Sequence, residues 1–228
     1  MTTQAFFANP WFASLAPEDA EALLAAGRPV ALPAGEVLYL QGAHCNSAVD
    51  GFCGVLSGAI KVSIMHPDGN EAILSIIEPG NWFGEPAILD SMPRAVTAIA
   101  HQDTALLVVS ANKFRELMQR VSFANAIARL EARRMIAVLE LLADIALQST
   151  RTRVARRLVM LAHGDLTQAE QGRGAISVSQ DNIAMMLGVS RTTLSKELQA
   201  LAKSGAIALR YGQIEILDMD ALRNASDN

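Results

Sequence analysis

The sequence has few of the features that mark membrane, secreted or metal-binding proteins. Its 228 residues include only two cysteines, Cys45 and Cys53, and their spacing fits neither a CxxC pair nor a zinc site. About half of the residues are apolar (51%), but no uninterrupted apolar run approaches the ~18 residues that a membrane helix needs. The first residues lack a basic region followed by a long apolar stretch. We therefore expect no signal peptide, no membrane span, a cytoplasmic location and reduced thiols.

Patterns typical of enzymes are also missing. The sequence contains no nucleophile elbow, P-loop or metal-ligand motif, and its four histidines are scattered. We therefore predict no catalytic residues and no metal site. The loop Gly42–Asp50 carries His44 next to Cys45, which leaves two interpretations open. The pair could belong to a metal, haem or thiol sensor, or the two could be neutral loop residues, which we favour because one His beside one Cys is a weak signal.

The charge is divided unevenly along the chain. The net charge is −4, but residues 1–149 hold 9 Lys/Arg against 15 Asp/Glu, whereas residues 150–228 hold 10 against 8. The C-terminal part is therefore locally basic, and Arg151, Arg153, Arg156 and Arg157 form a cluster within it. Phosphate affinity depends on local positive charge, so this distribution favours a nucleic-acid-binding segment at the C-terminal end.

Residues from about 30 to 110 show short apolar runs separated by turn signals. The runs are Val37–Tyr39, Phe52–Leu56, Ile60–Ile64, Ile73–Ile77, Val96–Ala100 and Leu106–Val109. The turn signals contain Gly35, Gly58, Gly69 and Gly80. Many short strands at regular spacing predict a β-barrel or jelly roll. A short helix over 15–27 is expected to precede it.

The pattern then becomes helical, and residues 123–147 contain neither Pro nor Gly. Five apolar positions step mainly by three and four, as in a coiled-coil seam. They are Ala128, Met135, Val138, Leu142 and Ile145. Further apolar positions, such as Ile136 and Leu139, require a second contact surface, which we expect to be the barrel. We predict a dimer interface formed by Met135, Val138, Leu142 and Ile145.

Residues 179–205 predict two short helices around a tight turn. Ser179 and Ser190 can cap the two helices, and Gly188 suits the left-handed residue that ends the first. Two sets of apolar residues give each helix a buried side, and a polar face lies opposite. The apolar residues are Ile183, Leu187, Leu194, Leu198 and Leu201, and the polar face contains Arg191, Thr192, Ser195, Lys196 and Gln199. An ordinary helical hairpin is possible, but these features together favour a DNA-binding helix-turn-helix.

Short strands flank this motif. Ile176–Val178 precedes it, and Ala206–Arg210 and Gln213–Leu217 follow it around a two-residue turn, Tyr211-Gly212. The strands predict a winged helix whose hairpin contacts DNA phosphates.

The order of jelly roll, long helix and winged helix resembles the Crp/Fnr family of bacterial transcription regulators. The resemblance covers roughly residues 15–220 and rests on two segments, Gly80–Arg94 and Gly188–Lys196. It implies an α+β fold with a sensory barrel of the cyclic-nucleotide-binding type (1–122), a long dimerisation helix (123–148) and a winged helix-turn-helix domain (149–228). The implied partners are an operator in double-stranded DNA, a second copy of the chain, and RNA polymerase.

The segment Gly80–Arg94 is similar to the family's phosphate-binding cassette. In relatives that bind cyclic nucleotides, a Gly-Glu opens a short helix whose amides meet the phosphate, and a later Arg pairs with it; here these are Gly84, Glu85 and Arg94. The next residue, usually Ser or Thr in cAMP binders, is Ala95. Two interpretations follow: a structural Glu85–Arg94 pair, which we favour, or an effector site. The effector stays unknown, and cAMP is not favoured.

The resemblance also assigns expected roles in the second helix. Arg191 and Lys196 match basic residues that contact bases and phosphates, while Thr192 stands where many relatives carry a Glu that accepts from cytosine. Ser179, Gln180 and Ser190 are expected to hold phosphates. The predicted function is a homodimeric, sequence-specific transcription regulator. The alternative is a nucleotide-binding module that regulates a protein partner, which would not need the polar C-terminal face.

Overall fold

The computed structural model describes residues 3–45, 51–163, 174–176 and 178–227. The chain forms two compact units, Met1–Arg133 and Arg134–Asn228. The long helix α6 (Val121–Leu147) runs through the boundary between them. The predicted α+β class and the predicted order of elements are confirmed. Within the described residues, no helix is both long and apolar enough to span a bilayer.

The N-terminal unit is built on two four-stranded antiparallel sheets, as in a jelly roll. Its strands are β1 (Gly27–Leu32), β2 (Val37–Tyr39), β3 (Gly51–Ser57), β4 (Ile60–Met65), β5 (Glu71–Ile77), β6 (Trp82–Phe83), β7 (Thr97–Ala100) and β8 (Thr104–Ser110). One sheet has the order β1-β8-β3-β6 and the other β2-β7-β4-β5. A core of apolar side chains from both sheets includes Leu32, Val55, Ile60 and Leu106. All six predicted strand regions are present.

Two strands were not predicted. Strand β1 pairs with β8 and is an edge strand among the described residues, so the missing amide hydrogen of its Pro29 is tolerated. Only Leu32 of this strand is buried, so the strand lacks an apolar pattern. Strand β6 has two residues, which is too short for any periodicity.

The predicted turns are occupied by glycines with positive φ, namely Gly35, Gly58, Gly69 and Gly80. Gly58 shows why no larger residue fits. A Cβ added there would lie 2.4 Å from the Asp103 carbonyl oxygen, and φ is +82°. The turn between β3 and β4 therefore needs glycine both for its conformation and for the space around it.

Among the described residues, five helices lie entirely within the N-terminal unit. They are α1 (Gln4–Phe7), α2 (Pro10–Ala13), α3 (Pro17–Ala26), α4 (Pro86–Leu89) and α5 (Ala111–Leu117). Helix α3 matches the predicted helix over 15–27, whereas α1 and α2 were not predicted. Asn9 caps α2 by accepting from the amide nitrogens of Trp11 and Phe12. The aromatic rings of Phe6 and Phe12 pack against Trp82, which anchors this segment on the sheet.

The long helix α6 changes character along its length. Its first part is buried through Phe123, Ala126 and Ile127, and the Ala126 carbonyl accepts a hydrogen bond from Trp11 Nε1 at 2.8 Å. From Met135 onwards the apolar side chains are exposed. This exposure includes the positions that the sequence pattern assigns to a helix–helix seam.

The described part of the C-terminal unit contains four further helices and a small sheet. Its elements are α7 (Thr150–Ala162), β9 (Ala175–Ile176), α8 (Gln180–Leu187), α9 (Arg191–Lys203), β10 (Ile207–Arg210), β11 (Gln213–Ile216) and α10 (Met219–Asp227). The antiparallel sheet has the order β10-β11-β9. Part of the predicted strand Ile176–Val178, residue 177, lies outside the described residues. The winged helix-turn-helix is therefore present, with a third strand supporting the wing.

Candidate DNA-reading surface and phosphate cassette

Helices α8 and α9 are capped as their sequences predict. Ser179 Oγ accepts from the Asn182 amide at 3.2 Å, and Ser190 Oγ accepts from the Thr193 amide at 3.1 Å. Between the helices, Gly188 adopts φ +63° and ψ +34°, the left-handed conformation that ends α8. The Ser190 cap and the Gly188 turn together determine where α9 begins, and the first residues of α9 are exposed.

The two sides of α9 differ as predicted. Its apolar residues Leu194, Leu198 and Leu201 are buried, and Ala184 of α8 is buried with them. The opposite side contains exposed polar residues, namely Arg191, Thr192, Lys196 and Gln199, while Ser195 is half-buried. Before α9, Ser179 is exposed and Gln180 is half-buried. Six of the eight predicted DNA-contacting residues are therefore exposed, whereas Gln180 and Ser195 are half-buried.

Arg191 is paired with a residue of the preceding helix. Its Nε lies 3.1 Å from Asp181 Oδ1, and both side chains are largely exposed (74% and 55%). Asp181 was not among the predicted site residues. It lies in the first turn of α8, ten positions before Arg191, and no sequence periodicity relates the two positions. Only the crossing of the two helices brings them together.

The four arginines that form the basic cluster in the sequence lie on α7 and have partners within the protein. Arg153 donates to the Leu187 carbonyl at 2.6 Å, and Arg157 donates to the Met186 sulfur at 3.2 Å. Arg151 pairs with Glu197 of α9 at 2.9 Å. Arg156 pairs with Asp144 and also donates to the Ser226 carbonyl at 2.7 Å. These guanidinium groups hold the helices of the C-terminal unit together, because each finds its acceptor within the unit.

The wing ends in a fully exposed aromatic residue. Arg210 pairs with Gln213 across the hairpin, so Tyr211 and Gly212 form the two-residue turn that was predicted. The Tyr211 side chain is completely exposed, and Gly212 has φ +74°. The Arg210 and Glu215 side chains form an ion pair at 2.9 Å behind the turn.

In the N-terminal unit, the phosphate cassette lies after strand β6. Gly84 has φ +98°, and a Cβ there would lie 2.6 Å from the Gly51 carbonyl oxygen. Glu85 follows it and is fully buried, directly before the four-residue helix α4. Arg94 is 3% exposed, whereas Ala95 is exposed.

The Arg94 side chain has several protein partners. Its Nη1 donates to the Gly84 carbonyl at 2.5 Å, and its Nη2 donates to the Cys45 sulfur at 3.3 Å. The guanidinium carbon also lies 4.2 Å from the centroid of the Tyr39 ring, within cation–π range. The residue expected to meet a phosphate is thus already held by the barrel.

The start of the loop Gly42–Asp50 is attached to the cassette through backbone hydrogen bonds. The Gly42 amide donates to the Arg94 carbonyl at 2.8 Å, and the Arg94 amide donates to the Ala43 carbonyl at 2.7 Å. His44 is exposed, and Cys45 carries a half-buried, reduced thiol. Residues 46–50 of this loop lie outside the described residues. Among the described residues, no three His, Cys, Asp or Glu side chains gather as metal ligands would.

Sequence reasoning missed Tyr39, Gly51 and Cys45 as neighbours of Arg94. Tyr39 and Gly51 belong to different strands, and Cys45 belongs to a loop. They converge on Arg94 only when the barrel closes, and a pattern of spacings carries no signal for such contacts.

Comparison with known proteins assigns the two units. Residues 29–121 match the model of the cyclic nucleotide-binding domain, and residues 152–225 match that of the Crp-like helix-turn-helix domain. The cyclic AMP receptor protein of Thermus thermophilus is 30% identical over 210 residues, which cover 91% of this chain and 92% of that protein. The CRP-like cAMP-activated global transcriptional regulator of Mycobacterium tuberculosis is 30% identical over 214 residues, covering 92% and 93%.

Solved structures show the same architecture. The Thermus thermophilus catabolite activator protein is 29% identical, with a TM-score of 0.52 and coverage of 96% of this chain and 98% of that one. FixK2 of Bradyrhizobium japonicum has a TM-score of 0.75, covering 87% and 96%; at 19% identity it supports the fold alone.

A cyclic-nucleotide-binding-type barrel, a long helix and a winged helix-turn-helix with an exposed polar helix define a DNA-binding transcription regulator. The similarity to the two named relatives extends over more than nine tenths of each chain and identifies the family. The chain belongs to the Crp/Fnr family of transcription regulators.

Proposed function

We propose that the protein acts as a homodimer that reads a two-part DNA operator through helix α9 of each subunit. The observation that carries this proposal is the exposed polar face of α9. In our proposal Arg191 contacts a guanine, Lys196 contacts a phosphate, and Ser179, Gln180 and Ser190 hold the backbone on either side. Thr192 has no carboxylate, so the operator differs from one that is read by a Glu at this position.

The dimer is supported by the exposed apolar surface of α6. Met135, Val138, Leu142 and Ile145 are 61%, 51%, 57% and 54% exposed in the single chain. Ile136 and Leu139 are exposed as well (56% and 57%), so the apolar surface is wider than the predicted seam. A helix in water rarely leaves such a stripe uncovered, and a second copy offers the same stripe in return.

We propose further that the cassette serves mainly as structure in this chain. Arg94 is buried and already has four protein contacts, and Ala95 offers no hydroxyl group. An effector, if it exists, is therefore expected to be something other than cAMP. The alternative of a nucleotide-binding module acting on a protein partner is less well supported, because such a module has no use for the α9 face.

Regulation of transcription also implies where the protein acts and with which partner. We propose a cytoplasmic protein without enzymatic activity that acts on RNA polymerase at promoters. The relatives named above are described as a receptor protein and a global transcriptional regulator. This description fits a protein that acts through binding rather than catalysis.

The proposal is tested by selecting duplexes from a random DNA library with the intact protein. Binding of the selected duplex is then measured by fluorescence anisotropy at several salt concentrations. Arg191→Ala is expected to cost about 1–3 kcal/mol and to relax the preference at one base pair. Lys196→Ala is expected to weaken all duplexes evenly and to lower the salt slope by about 1.

Lys203→Ala is the matched control. Lys203 is exposed at the other end of α9, so loss of the same charge there is expected to change binding little. Unchanged affinity in both Arg191→Ala and Lys196→Ala would show that α9 is not the reading helix.

A further inference from the structure

The pairing of Arg191 with Asp181 is difficult to explain by stability alone. Both side chains are largely exposed, and an ion pair in water contributes at most about 1 kcal/mol. The pair also places a carboxylate on the surface that faces DNA in the proposed function. A negative charge there repels phosphates and lowers affinity for every sequence. Asp181 therefore has a general cost for DNA binding. Its place in the first turn of α8 stabilises that helix by about 0.3–1 kcal/mol, but a benefit for binding would have to come through its contact with Arg191.

The geometry of the pair shows what this benefit can be. The carboxylate lies at the Nε side of the guanidinium, at 3.1 Å. The two terminal nitrogens are the fork that Arg uses to contact O6 and N7 of guanine. A carboxylate at Nε can hold the plane of the guanidinium while this fork points away from the protein. Because an Arg side chain has several rotatable bonds, fixing it before binding reduces the entropy lost on contact with the base.

The position of both residues supports this role. Arg191 is the first residue of α9, directly after the Ser190 cap, and Asp181 lies in the first turn of α8. Both are fixed at the backbone by capped helix ends, so the distance between their Cα atoms is set by the motif. The arginines of α7 instead donate to acceptors that hold the unit together, and Arg153 and Arg157 contact the end of α8. Arg191 points outward, with an acid as its partner.

We propose that Asp181 is a positioning residue that orients Arg191 and so determines specificity for one G·C base pair. The proposal rests on the proposed function, because it takes Arg191 as a base-reading residue. Asp181 lowers non-specific binding by repelling phosphates and favours the correct base by holding the guanidinium fork. Both effects increase the ratio of specific to non-specific affinity. This ratio, rather than the dissociation constant alone, decides which genomic sites are occupied.

The test uses the full chain, the duplex that it selects from a random library, and a panel of that duplex with each base pair replaced in turn. Four variants are compared by anisotropy at one salt concentration: Asp181→Asn, Arg191→Ala, the double variant and Asp220→Asn. Asp220 is the matched control, because it is an exposed acid in the first turn of α10 with an Arg partner, Arg223, at 3.8 Å. Its substitution removes the same charge from the same unit.

We expect Asp181→Asn to lower the ratio of affinities for the preferred and the replaced base pair about two- to fivefold. This loss should occur at the position whose preference Arg191→Ala abolishes. The range corresponds to the energy of an exposed ion pair. The double variant should then behave like Arg191→Ala, because Asp181 acts through Arg191. Asp220→Asn should raise affinity slightly and evenly across the panel.

Two outcomes would overturn the idea, and they are distinguishable. If Asp181→Asn gives the same even gain as Asp220→Asn while Arg191→Ala abolishes one preference, Asp181 does not position the arginine, and the reading role of Arg191 still holds. If Arg191→Ala leaves every preference unchanged, the proposed reading role fails and the role of Asp181 fails with it. Circular dichroism and thermal unfolding of each variant identify any loss of fold.

Discussion

The guanidinium of Arg94 lies over the ring of Tyr39, with 4.2 Å between the guanidinium carbon and the ring centroid. Tyr39 is buried at the end of strand β2, and Arg94 reaches it from the loop after α4. The contact joins the cassette to the second sheet of the barrel. The arginine therefore contributes to the packing of the N-terminal unit.

Removal of Arg94 is expected to destabilise the N-terminal unit. Arg94→Ala would lose the hydrogen bonds to Gly84 and Cys45 as well as the contact with Tyr39. Hydrogen bonds to a charged group contribute about 1.5–3 kcal/mol, and we expect a loss in that range. Denaturant unfolding followed by tryptophan fluorescence measures this loss, because Trp11 and Trp82 both belong to this unit.

Arg115→Ala, on the exposed side of α5, is the control, and its free energy of unfolding should stay within about 0.5 kcal/mol of the wild type. An unaltered unfolding midpoint for Arg94→Ala would contradict the structural role.

The protein is expected to bind cAMP weakly or not at all. Arg94 is buried among protein partners, and Ala95 lacks the hydroxyl of cAMP binders. One missing hydrogen bond weakens binding by about 0.5–1.5 kcal/mol, and a phosphate would also have to compete with the Gly84 carbonyl and the Cys45 sulfur for the Arg94 guanidinium. Calorimetry with cAMP and cGMP on the purified protein measures this directly. Micromolar binding that Arg94→Ala abolishes and Arg94→Lys partly keeps would restore the nucleotide-sensor interpretation.

Leu142→Glu is expected to convert dimers into monomers. The change would place two carboxylates in an apolar interface, where unpaired buried charges cost several kcal/mol. Each monomer would then reach only one half-site, so operator affinity should fall as well. Sedimentation velocity gives the oligomeric state. Leu217→Glu is a matched control, because Leu217 is equally exposed (56% against 57%) but lies after β11. If Leu142→Glu remained a dimer at the same concentrations, the interface would lie elsewhere.

The stability of the N-terminal unit is expected to decrease as the pH falls from 7 to 4. Partial burial and the nearby Lys61 charge lower the pKa of His101, so its protonation opposes folding below its ordinary value of 6.5. Burial alone would raise the pKa of Glu71, but hydrogen bonds from Lys61 and Ser63 outweigh it and lower the pKa below 4.5. In both cases the unfolded chain binds more protons than the folded one, so stability rises with pH.

Two variants separate these contributions. His101→Gln should flatten the profile of unfolding free energy just below pH 6.5, and Glu71→Gln should flatten it below about pH 4.5. Tryptophan-detected denaturation across this range provides the profile. Equal slopes in the wild type and both variants would show that neither group is linked to folding.

The segments predicted correctly are those with a repeating apolar pattern or with ends that a glycine turn or a serine cap marks. The six apolar runs between glycine turns became strands, and the Ser-capped helices α8 and α9 begin at the positions their caps predict. The N-terminal helices α1 and α2 were missed because each has four residues, which is about one helical turn. They are held in place by aromatic packing against Trp82, a contact distant in sequence.

The sequence by itself determined the order of the domains, the caps and turns, and the polar face of α9, because each depends on residues within about one turn or one hairpin. The tertiary structure decided which charges have partners. It directs the α7 arginines to acceptors within the C-terminal unit, brings Asp181 to Arg191 and surrounds Arg94 with Tyr39, Cys45 and Gly84. A charged side chain pairs with the groups that the fold brings within a few ångströms of it, and the local sequence around it does not show which groups these are.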